Sequence, residues 1–353
     1  MQQTCAQQSP HGQPAPVADP FISIIVPARN EERTIEKLLR ELLDQHYDSS
    51  RFEVIVADGL STDSTRDTVM RLRQTYGNLQ LLENPVRLAS AGRNRGIQAA
   101  SGDIILIVDA HCEVGSSDYL SRLAEIFVRT GTDCVGRPQP LDVPGTAPMQ
   151  RAIAAARSSW LGHHPASYIY SSTERFVRPQ SVAVAYRRAV IDSVGLFDED
   201  FDACEDVEFN TRVERAGFRC FLSPHARVRY HPRASLVGLF RQLFRYGRGR
   251  IRLLRKHPDT FGWACFLPAV LVVGAVLGPA LAWLGPWGAG VYLIALLVYL
   301  AIIVATCAAI MVQSKDLAAS AWLPLIFLTI HFGAGVGVLY ESAWGRRGQK
   351  LPQ

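Results

Sequence analysis

Between residues 21 and 110, short runs of Ile and Val alternate with longer stretches in which apolar residues recur every three or four positions. The run FISIIVPA predicts a strand, and NEERTIEKLLRELLDQH predicts a helix with one apolar face. The strands FEVIVAD, LQLLEN and DIILIVDA follow, separated by two more helices, the first of which we expect to end at Gly77. Strands that alternate with helices form a parallel sheet covered on both faces, so the sequence predicts an α/β fold.

Beyond about residue 260 the chain is almost entirely apolar. Three segments, at 264–284, 288–312 and 318–340, each reach the roughly 20 residues that a helix needs to cross a bilayer. Tryptophans lie near their ends, as is typical of the membrane interface. The first segment contains prolines and glycines and could be kinked or re-entrant, but the pattern as a whole predicts about three membrane spans.

A basic amphipathic helix at residues 234–257 precedes these segments. Its arginines flank an apolar face, which predicts a helix in the lipid interface; an ordinary solvated helix of a domain is the alternative. The net charge of +5 is concentrated near this helix, which indicates an anionic surface or ligand and not nucleic acid. Because arginines favour the cytoplasmic side, we expect a multi-pass protein of the cell (inner) membrane with a cytoplasmic catalytic domain. Three spans would place the basic residues after position 345 on the opposite side, which conflicts with the same rule.

These patterns divide the chain into five parts. Residues 1–20 are rich in Gln and Pro and predict a disordered tail, and residues 346–353 form a short second tail. Between them we expect a catalytic domain at 21–233, the basic helix, and a membrane region at 258–345. The seven cysteines include no CxxC pair, which favours a reduced soluble part and not a disulfide framework.

Polar residues end three of the predicted strands. Asn30, Asp58 and Asp109 each fall at or just after the carboxyl end of a strand, where parallel sheets bind their ligands. The sequence VDAHCE places two potential metal ligands, Asp109 and His111, at the last of these ends; simple strand termination is the alternative. In an extended strand both side chains would point to the same side. No GxGxxG and no GxxxxGK[ST] pattern occurs, which disfavours dinucleotide dehydrogenases and P-loop NTPases.

Four elements in order carry a family resemblance: SIIVPARNEE, VIVADGLSTDST, AGRNRGIQAASGDIILIVDAH and CEDVEFNTRVERAGF. Together they resemble the nucleotide-sugar-binding domain of glycosyltransferase family 2, which has the GT-A fold. Within that family the sequence is most similar to the ExoA-type enzymes of succinoglycan and exopolysaccharide synthesis. The resemblance covers roughly residues 21–257, and membrane helices follow, as is common in such proteins.

The resemblance implies a nucleotide-sugar site built from three segments. Its matching residues are Pro27, Ala28, Asn30, Glu31, Asp58, Arg93, Asn94 and Asp109. The first four belong to the loop that holds the nucleoside. Asp58 would accept a hydrogen bond from a uracil imide, and Arg93 and Asn94 would lie beside the ribose and the diphosphate.

The resemblance also implies a metal site. Asp109 matches the first aspartate of the DxD motif, and His111 replaces the last one, as in ExoA-type sequences. A divalent cation stabilises the diphosphate that leaves during transfer, and an imidazole ligand favours Mn²⁺ over Mg²⁺. A capping or outer-shell histidine is the alternative for His111.

The remaining matches concern catalysis. Asp206 in CEDVEF matches the carboxylate that deprotonates the acceptor hydroxyl, and Glu205 would orient it or contact the acceptor. The alternative is that both are acids favoured at a helix start. RQLFRYGRG resembles a QxxRW element with Tyr246 in place of tryptophan, so Gln242 and Arg245 could reach the diphosphate or the acceptor lipid.

The sequence therefore predicts a membrane-anchored inverting glycosyltransferase. It would move a sugar from a nucleotide-sugar, a UDP-sugar by preference, to a lipid-linked or polysaccharide acceptor with help from Mn²⁺ or Mg²⁺. A polyprenyl-phosphate sugar transferase is the alternative enzyme. A catalytically silent membrane-bound scaffold is the alternative outside enzymes, and the intact Asp58, Asp109 and Asp206 weigh against it.

Overall fold

The computed structural model describes residues 19–141, 145–163 and 168–345. The chain forms two compact units. Among the described residues, the first contains 19–140, 168–199 and 205–230, and the second contains 141, 145–163, 200–204 and 231–345. Nearly all of the predicted tail at 1–20, and all of that at 346–353, lie outside the described residues.

The first unit holds the strands of the described chain. They are β1 (Ile22–Ala28), β2 (Phe52–Asp58), β3 (Leu79–Glu83), β4 (Ile104–Ile107), β5 (Cys112–Glu113), β6 (Cys134–Gly136), β7 (Arg175–Val177), β8 (Ala183–Arg187), β9 (Cys220–Leu222) and β10 (Arg229–Tyr230). Eight of these strands form one sheet in the order β3-β2-β1-β4-β8-β6-β9-β7, and β5 pairs with β10. The strands β3, β2, β1 and β4 are parallel, whereas β8 runs antiparallel to β4.

Helices cover this sheet and build the second unit. They are α1 (Ile35–Leu43), α2 (Thr65–Arg73), α3 (Ala89–Ala99), α4 (Tyr119–Thr130), α5 (Pro148–Ser158), α6 (Arg188–Val194), α7 (Glu205–Arg215), α8 (Leu236–Lys256), α9 (Leu267–Leu277), α10 (Pro286–Ser314), α11 (Leu317–Ser320) and α12 (Leu323–Trp344). Of these, α5 and α8 to α12 belong to the second unit.

The core of the first unit follows the predicted pattern. Every side chain of β2 is buried, as expected for a central parallel strand. Helix α1 buries its predicted apolar face, whose members are Ile35, Leu38, Leu39 and Leu42. Helix α3 lies close to β1 because Gly96 has no side chain; a Cβ there would be 2.4 Å from Cγ2 of Ile25. The mostly parallel α/β sheet is therefore confirmed.

Two predicted boundaries differ from the structure for local reasons. Helix α1 begins at Ile35 and not at Asn30, because the backbone N–H groups of Asn30 and Glu31 donate to the side chains of Ser61 and Thr65. Helix α2 ends at Arg73, before the expected stop at Gly77.

The predicted domain at 21–233 is not one continuous unit. Helix α5 packs with the C-terminal helices, because its residues Ala152, Ile153 and Ala156 join the apolar cluster that contains Leu239 of α8 and Phe327 of α12. The short segment 200–204, just before α7, also belongs to the second unit.

Helix α8 packs against α12 along part of its length. Glycines allow the two backbones to approach closely. A Cβ on Gly247 would be 2.2 Å from the carbonyl oxygen of Ala334, and one on Gly337 would be 2.1 Å from that of Phe244. Leu239 and Leu243 of α8 are buried, whereas Val237 and Phe240 are exposed, so the interfacial position of the helix stays a prediction.

Two helices of the described chain, α10 and α12, are long and apolar enough to cross a membrane, with mean hydropathies of 2.8 and 1.8. The first predicted span is instead the short α9, followed by a 3₁₀ segment at Gly278–Leu284. The chain leaves α12 at Gly345, whose carbonyl oxygen accepts from Arg255 of α8 at 3.4 Å. Two spans would return the chain to the side of the basic helix, which removes the charge conflict of the three-span prediction.

Ion pairs join α8, α12 and the segment 200–204 within the second unit. Glu341 of α12 is buried, and its carboxylate lies 2.9 Å from Arg248 and 3.0 Å from Arg252. The same two arginines reach Asp202 at 3.5 and 2.7 Å. Arg255 lies 3.6 Å from Glu341 and completes the group. Glu341 thus balances three arginine charges in a buried place.

Removal of this carboxylate should destabilise the second unit. We expect Glu341→Gln to cost about 3–5 kcal/mol, because three arginines then lose their shared buried counter-charge. Tryptophan fluorescence of the detergent-purified protein reports thermal unfolding of this unit alone, because all six tryptophans belong to it: Trp160, Trp263, Trp283, Trp287, Trp322 and Trp344.

Asp316→Asn is the matched control in the same unit. It removes the partly exposed ion pair with Arg151 and keeps a side chain that can cap α11. The control should shift the transition much less, and equal shifts for the two variants would contradict the structural role given to Glu341.

Candidate active site

One pocket of the first unit opens at the carboxyl end of the sheet, with a cavity volume of about 100 Å³. Strand β4 contributes Ile107 and, just beyond its end, Asp109, and helix α7 contributes Asp206 near its first turn. The polar residues that line the pocket are Arg93, Asp109, Arg137, Gln139, Gln180, Asp206 and Asn210. The remaining wall is mostly aliphatic. The structure therefore brings Arg93, Asp109 and Asp206, which the sequence resemblance singled out, to one place.

Arg93 of α3 connects two carboxylates from different elements. Its Nη2 lies 3.2 Å from Oδ1 of Asp109, and its Nη1 lies 2.9 Å from Oε1 of Glu205. The guanidinium also lies 5.3 Å from the centre of the Phe197 ring. Arg93 is buried, so these contacts act with little screening by water.

The two carboxylates respond differently to this arginine. Burial opposes ionisation of Asp109, but the charge of Arg93, aided by His111 and Arg137, outweighs it and lowers the pKa of Asp109. Burial raises the pKa of Glu205; Arg93 acts against this effect, and the neighbouring charge of Asp206 adds to it. Glu205 is thus engaged with Arg93, whereas Asp206 is the acid of this pair that lines the pocket.

Asp206 is exposed in the first turn of α7, and its Oδ1 accepts from the backbone N–H of Val207 at 2.8 Å. A helix start favours carboxylates through the macrodipole, which was the alternative weighed for both acids. Asp206 also lines the same cavity as Asp109 and Arg93, which the helix start alone does not require.

His111 lies in a turn and not in an extended strand. Strand β4 ends at Ile107, and the backbone N–H of Cys112 donates to the carbonyl oxygen of Asp109 at 3.0 Å. The argument from strand alternation for Asp109 and His111 therefore does not apply. Nδ1 of His111 lies 3.2 Å from Oε1 of Glu31, and Nε2 is buried with no hydrogen-bond partner among the described residues.

This geometry fits a cation site that is completed by substrate. A carboxylate on one ring nitrogen of a histidine orients the ring and leaves the other nitrogen as a ligand. Within residues 19–141, 145–163 and 168–345, no group of three or more His, Cys, Asp and Glu side chains forms a metal cage. Asp109 and His111 offer two ligands, so a cation held there would need further ligands from water or phosphate oxygens, as Mg²⁺ takes them beside nucleotides.

The predicted nucleoside loop lies beside the end of β2. Pro27 and Ala28 of β1 pair with Ala57 and Asp58 of β2. Asn30 has a left-handed backbone with φ of 55°, and its Oδ1 accepts from the backbone N–H of Thr62 at 2.9 Å. These contacts bring the first loop and the loop after β2 together at the carboxyl edge of the sheet.

Asp58 is fully buried and accepts from the hydroxyl and the backbone N–H of Ser61. Asn94 bonds within the protein. Its amide donates to the carbonyl oxygen of Phe197 and to Glu199, and it accepts from the N–H of Phe197, so it holds the segment after α6. The contact with the ribose and diphosphate that the resemblance implies stays a prediction.

Gln242 and Arg245 lie on α8 in the second unit. Gln242 contacts the hydroxyl of Tyr246 at 3.2 Å and Arg157 at 3.4 Å, and Arg245 donates to the carbonyl oxygen of Asp202. The predicted element is therefore ordered through contacts inside that unit.

Sequence reasoning missed Arg137, Gln139 and Gln180 in the pocket wall. Arg137 directly follows β6, as Asp109 follows β4, so the strand-end argument would have identified it if β6 had been recognised. The strand has three residues and no alternating pattern, which explains the omission.

Comparison with known proteins decides the family. A family model described as glycosyl transferase family 2 matches residues 23–194. The succinoglycan biosynthesis protein ExoA of Rhizobium meliloti (strain 1021) is 34% identical over 281 residues, which are 78% of this chain and 83% of that protein. The chain belongs to glycosyltransferase family 2. It is therefore a glycosyltransferase, as the sequence resemblance predicted.

A more distant relative and a solved structure are also similar to this chain. A dolichyl N-acetyl-alpha-D-glucosaminyl phosphate 3-beta-D-2,3-diacetamido-2,3-dideoxy-beta-D-glucuronosyltransferase of Methanococcus voltae is 27% identical over 270 residues, 73% of this chain and 83% of that protein. The solved structure of the mannosyltransferase PcManGT of Pyrobaculum calidifontis, in complex with GDP-Man and Mn²⁺, superposes with a TM-score of 0.59 at 22% identity and covers 97% of this chain and 92% of that one. At this identity the likeness shows the fold alone, which is GT-A.

The raised pKa of Glu205 predicts an unusual pH dependence of stability. Below the ordinary value of 4.5 the side chain is protonated in folded and unfolded protein alike, and Gln resembles it closely. As the pH rises from 4.5 through the raised folded pKa, the wild type loses stability that Glu205→Gln keeps. Over this pH window the unfolding free energy of Glu205→Gln should therefore rise relative to that of the wild type. Circular dichroism follows the unfolding of both proteins.

Asp109→Asn is the contrasting variant. Because the folded pKa of Asp109 is lowered, its contribution is complete above 3.8 and is lost only as the pH falls through the lowered value. Its offset from wild type should stay constant between pH 4.5 and the neutral range. If the wild type instead became more stable relative to Glu205→Gln as the pH rises, the pKa of Glu205 would not be raised in the folded protein.

Proposed function

We propose that this family 2 enzyme transfers a sugar from a UDP-sugar to a hydroxyl group of a lipid-linked or polysaccharide acceptor, with inversion at the sugar carbon. The observation that carries the proposal is the single pocket lined by both Asp109 and Asp206, with Arg93 beside them. This pocket offers an edge that would hold the negatively charged donor and a carboxylate that would accept the proton of the acceptor, both in one cavity.

Asp206 acts as the general base in this proposal. It takes the proton of the acceptor hydroxyl while the acceptor oxygen bonds to the anomeric carbon of the donor sugar. The bond from that carbon to the phosphate oxygen breaks at the same time, and its electron pair leaves with the nucleoside diphosphate. Glu205 and Arg93 position the start of α7 and the Asp109 turn, through the ion pairs at 2.9 and 3.2 Å.

Asp109 and His111 are the residues that would hold a divalent cation. The buried, unpartnered Nε2 of His111 and the Glu31 carboxylate at its other nitrogen support this assignment. When bound, the cation supplies Lewis-acid stabilisation of the diphosphate. We assign nucleoside contacts to Pro27, Ala28, Asn30 and Glu31 and the base contact to Asp58, on the basis of the family resemblance.

The names of two relatives support the class of acceptor. The Rhizobium relative is a succinoglycan biosynthesis protein, and the Methanococcus relative acts on a dolichyl-linked sugar phosphate. A lipid-linked acceptor also explains the exposed apolar side chains of α10, for which a membrane is the natural environment. We therefore place the catalytic unit at the cytoplasmic face of the cell membrane, where α10 and α12 anchor it.

A donor and acceptor screen tests this function. The full-length protein in membranes is given radiolabelled UDP-sugars and lipid extract, and the labelled product is separated and analysed. Transfer to a lipid-linked sugar supports the proposal, and transfer to polyprenyl phosphate itself identifies the alternative enzyme. If no donor is hydrolysed or transferred and the protein does not bind UDP, the protein is instead a silent scaffold.

The cation site makes a separate prediction. His111→Ala should raise the Mn²⁺ concentration that half-saturates the protein–UDP complex by about 10–100-fold or more. That range is typical for the loss of a residue that only orients a metal ligand, and a direct ligand should matter at least as much. His111→Asp should restore binding and shift the preference toward Mg²⁺, because an oxygen ligand suits the harder ion. Calorimetric titration of Mn²⁺ and Mg²⁺ into protein with UDP measures both effects.

His225→Ala is the control, since His225 is an exposed residue of the same unit and lies outside the pocket. It should titrate like wild type. If His111→Ala also keeps the wild-type metal dependence, His111 is not a ligand.

A further inference from the structure

Arg137 is a buried cation that the catalytic roles above do not use. It follows β6, is 2% exposed and lines the pocket that contains Asp109 and Asp206. Its Nη1 donates to the hydroxyl of Tyr119 at 3.2 Å. Its Nε is buried and has no hydrogen-bond partner among the described residues.

The charge of Arg137 has no close counter-charge in the described part of the chain. Arg93, the other arginine of the pocket, has two carboxylates within 3.2 Å. Arg137 has only the neutral Tyr119 within hydrogen-bond distance, and no carboxylate within the 4.0 Å of an ion pair. Burial of a guanidinium without a partner is costly, so such groups usually meet a ligand or an ion pair.

The surroundings of Arg137 indicate what kind of ligand this is. Its charge reaches Asp109, whose pKa it helps to lower, so it lies close to the edge where a diphosphate would be held. The pocket walls near it are largely aliphatic, including Ile107, Val182 and Val184. Low polarity around a fixed cation strengthens its interaction with a developing negative charge.

We propose that Arg137 donates a hydrogen bond to the sugar-bound phosphate of the donor and stabilises the charge that develops there. This inference rests on the proposed function. As the bond between the anomeric carbon and the phosphate oxygen breaks, the electron pair stays on that oxygen, and Arg137 contacts the resulting phosphate without giving up its proton. The acceptor proton goes to Asp206, so Arg137 acts only on the leaving group.

Substitution of Arg137 with matched controls tests this assignment. Arg137→Met keeps the length of the side chain and removes its charge. Tyr119→Phe removes the one hydrogen bond that Arg137 makes within the protein but leaves the charge in place. Arg137→Lys keeps a charge without the planar fork of donors. The readouts are kcat and KM of transfer, and the affinities for UDP and UMP measured by calorimetry on the full-length protein.

Arg137→Met should lower kcat by about 10²–10³-fold, the effect of removing one donor from a developing oxyanion. It should weaken UDP by about 10-fold or more, since a hydrogen bond to a charged group is lost, and leave UMP unchanged because UMP lacks the sugar-bound phosphate. Arg137→Lys should fall between wild type and Arg137→Met, and Tyr119→Phe should stay close to wild type in every readout.

Equal losses for Arg137→Met and Tyr119→Phe would show a purely structural role and overturn the inference. Wild-type UDP affinity in Arg137→Met, or equal weakening of UDP and UMP, would also overturn it. If Arg137→Met does not fold, the comparison of Arg137→Lys with Tyr119→Phe decides, because only the former should weaken UDP selectively. A wild-type protein that neither binds nucleoside diphosphates nor transfers sugar would reject the proposed function itself.

Discussion

The ion pairs of Arg93 are the interaction on which the candidate site depends. One guanidinium holds the turn after β4 through Asp109 and the start of α7 through Glu205, two elements far apart in the sequence. Because Arg93 is buried, it needs a nearby negative charge, which the Asp109 carboxylate with its lowered pKa supplies. These ion pairs fix the separation between the turn after β4 and the start of α7. The adjacent acids Glu205 and Asp206 consequently have different surroundings. Glu205 is paired with Arg93, and Asp206 lines the pocket.

The second unit shows the same principle with a different result. Its charges also concentrate on a buried carboxylate, Glu341, but there three arginines of α8 surround one acid of an apolar helix. Helix α8 has the composition of a lipid-binding helix, but these ion pairs also hold it against α12. A sequence that combines arginines with an apolar face therefore does not by itself distinguish a membrane surface from a helix–helix contact whose counter-charge lies elsewhere in the chain.

Much of the fold followed from local pattern. The strands β1 and β2 and the apolar face of α1 were predictable because a buried strand and an amphipathic helix impose different periods on neighbouring residues. Asp109 and Asp206 were singled out from motifs, and the structure places both in the wall of one pocket. Pattern did not show the short turn that ends β4 before Asp109, nor the distant contacts of the Asn94 amide with Phe197 and of α8 with α12. Arg137 was missed because β6 is too short to show a pattern, although its position after a strand is the same as that of Asp109.

The proposed transfer mechanism depends most on Asp206 as the base, and one comparison of variants tests this role directly. Asp206→Asn keeps the size of the side chain and should reduce turnover by about 10²-fold or more, the usual contribution of a general base, while UDP affinity is unchanged. Asp192→Asn, an exposed acid on α6, serves as the control and should turn over like wild type. If Asp206→Asn transfers sugar at the wild-type rate, another group accepts the proton and the proposed mechanism is wrong.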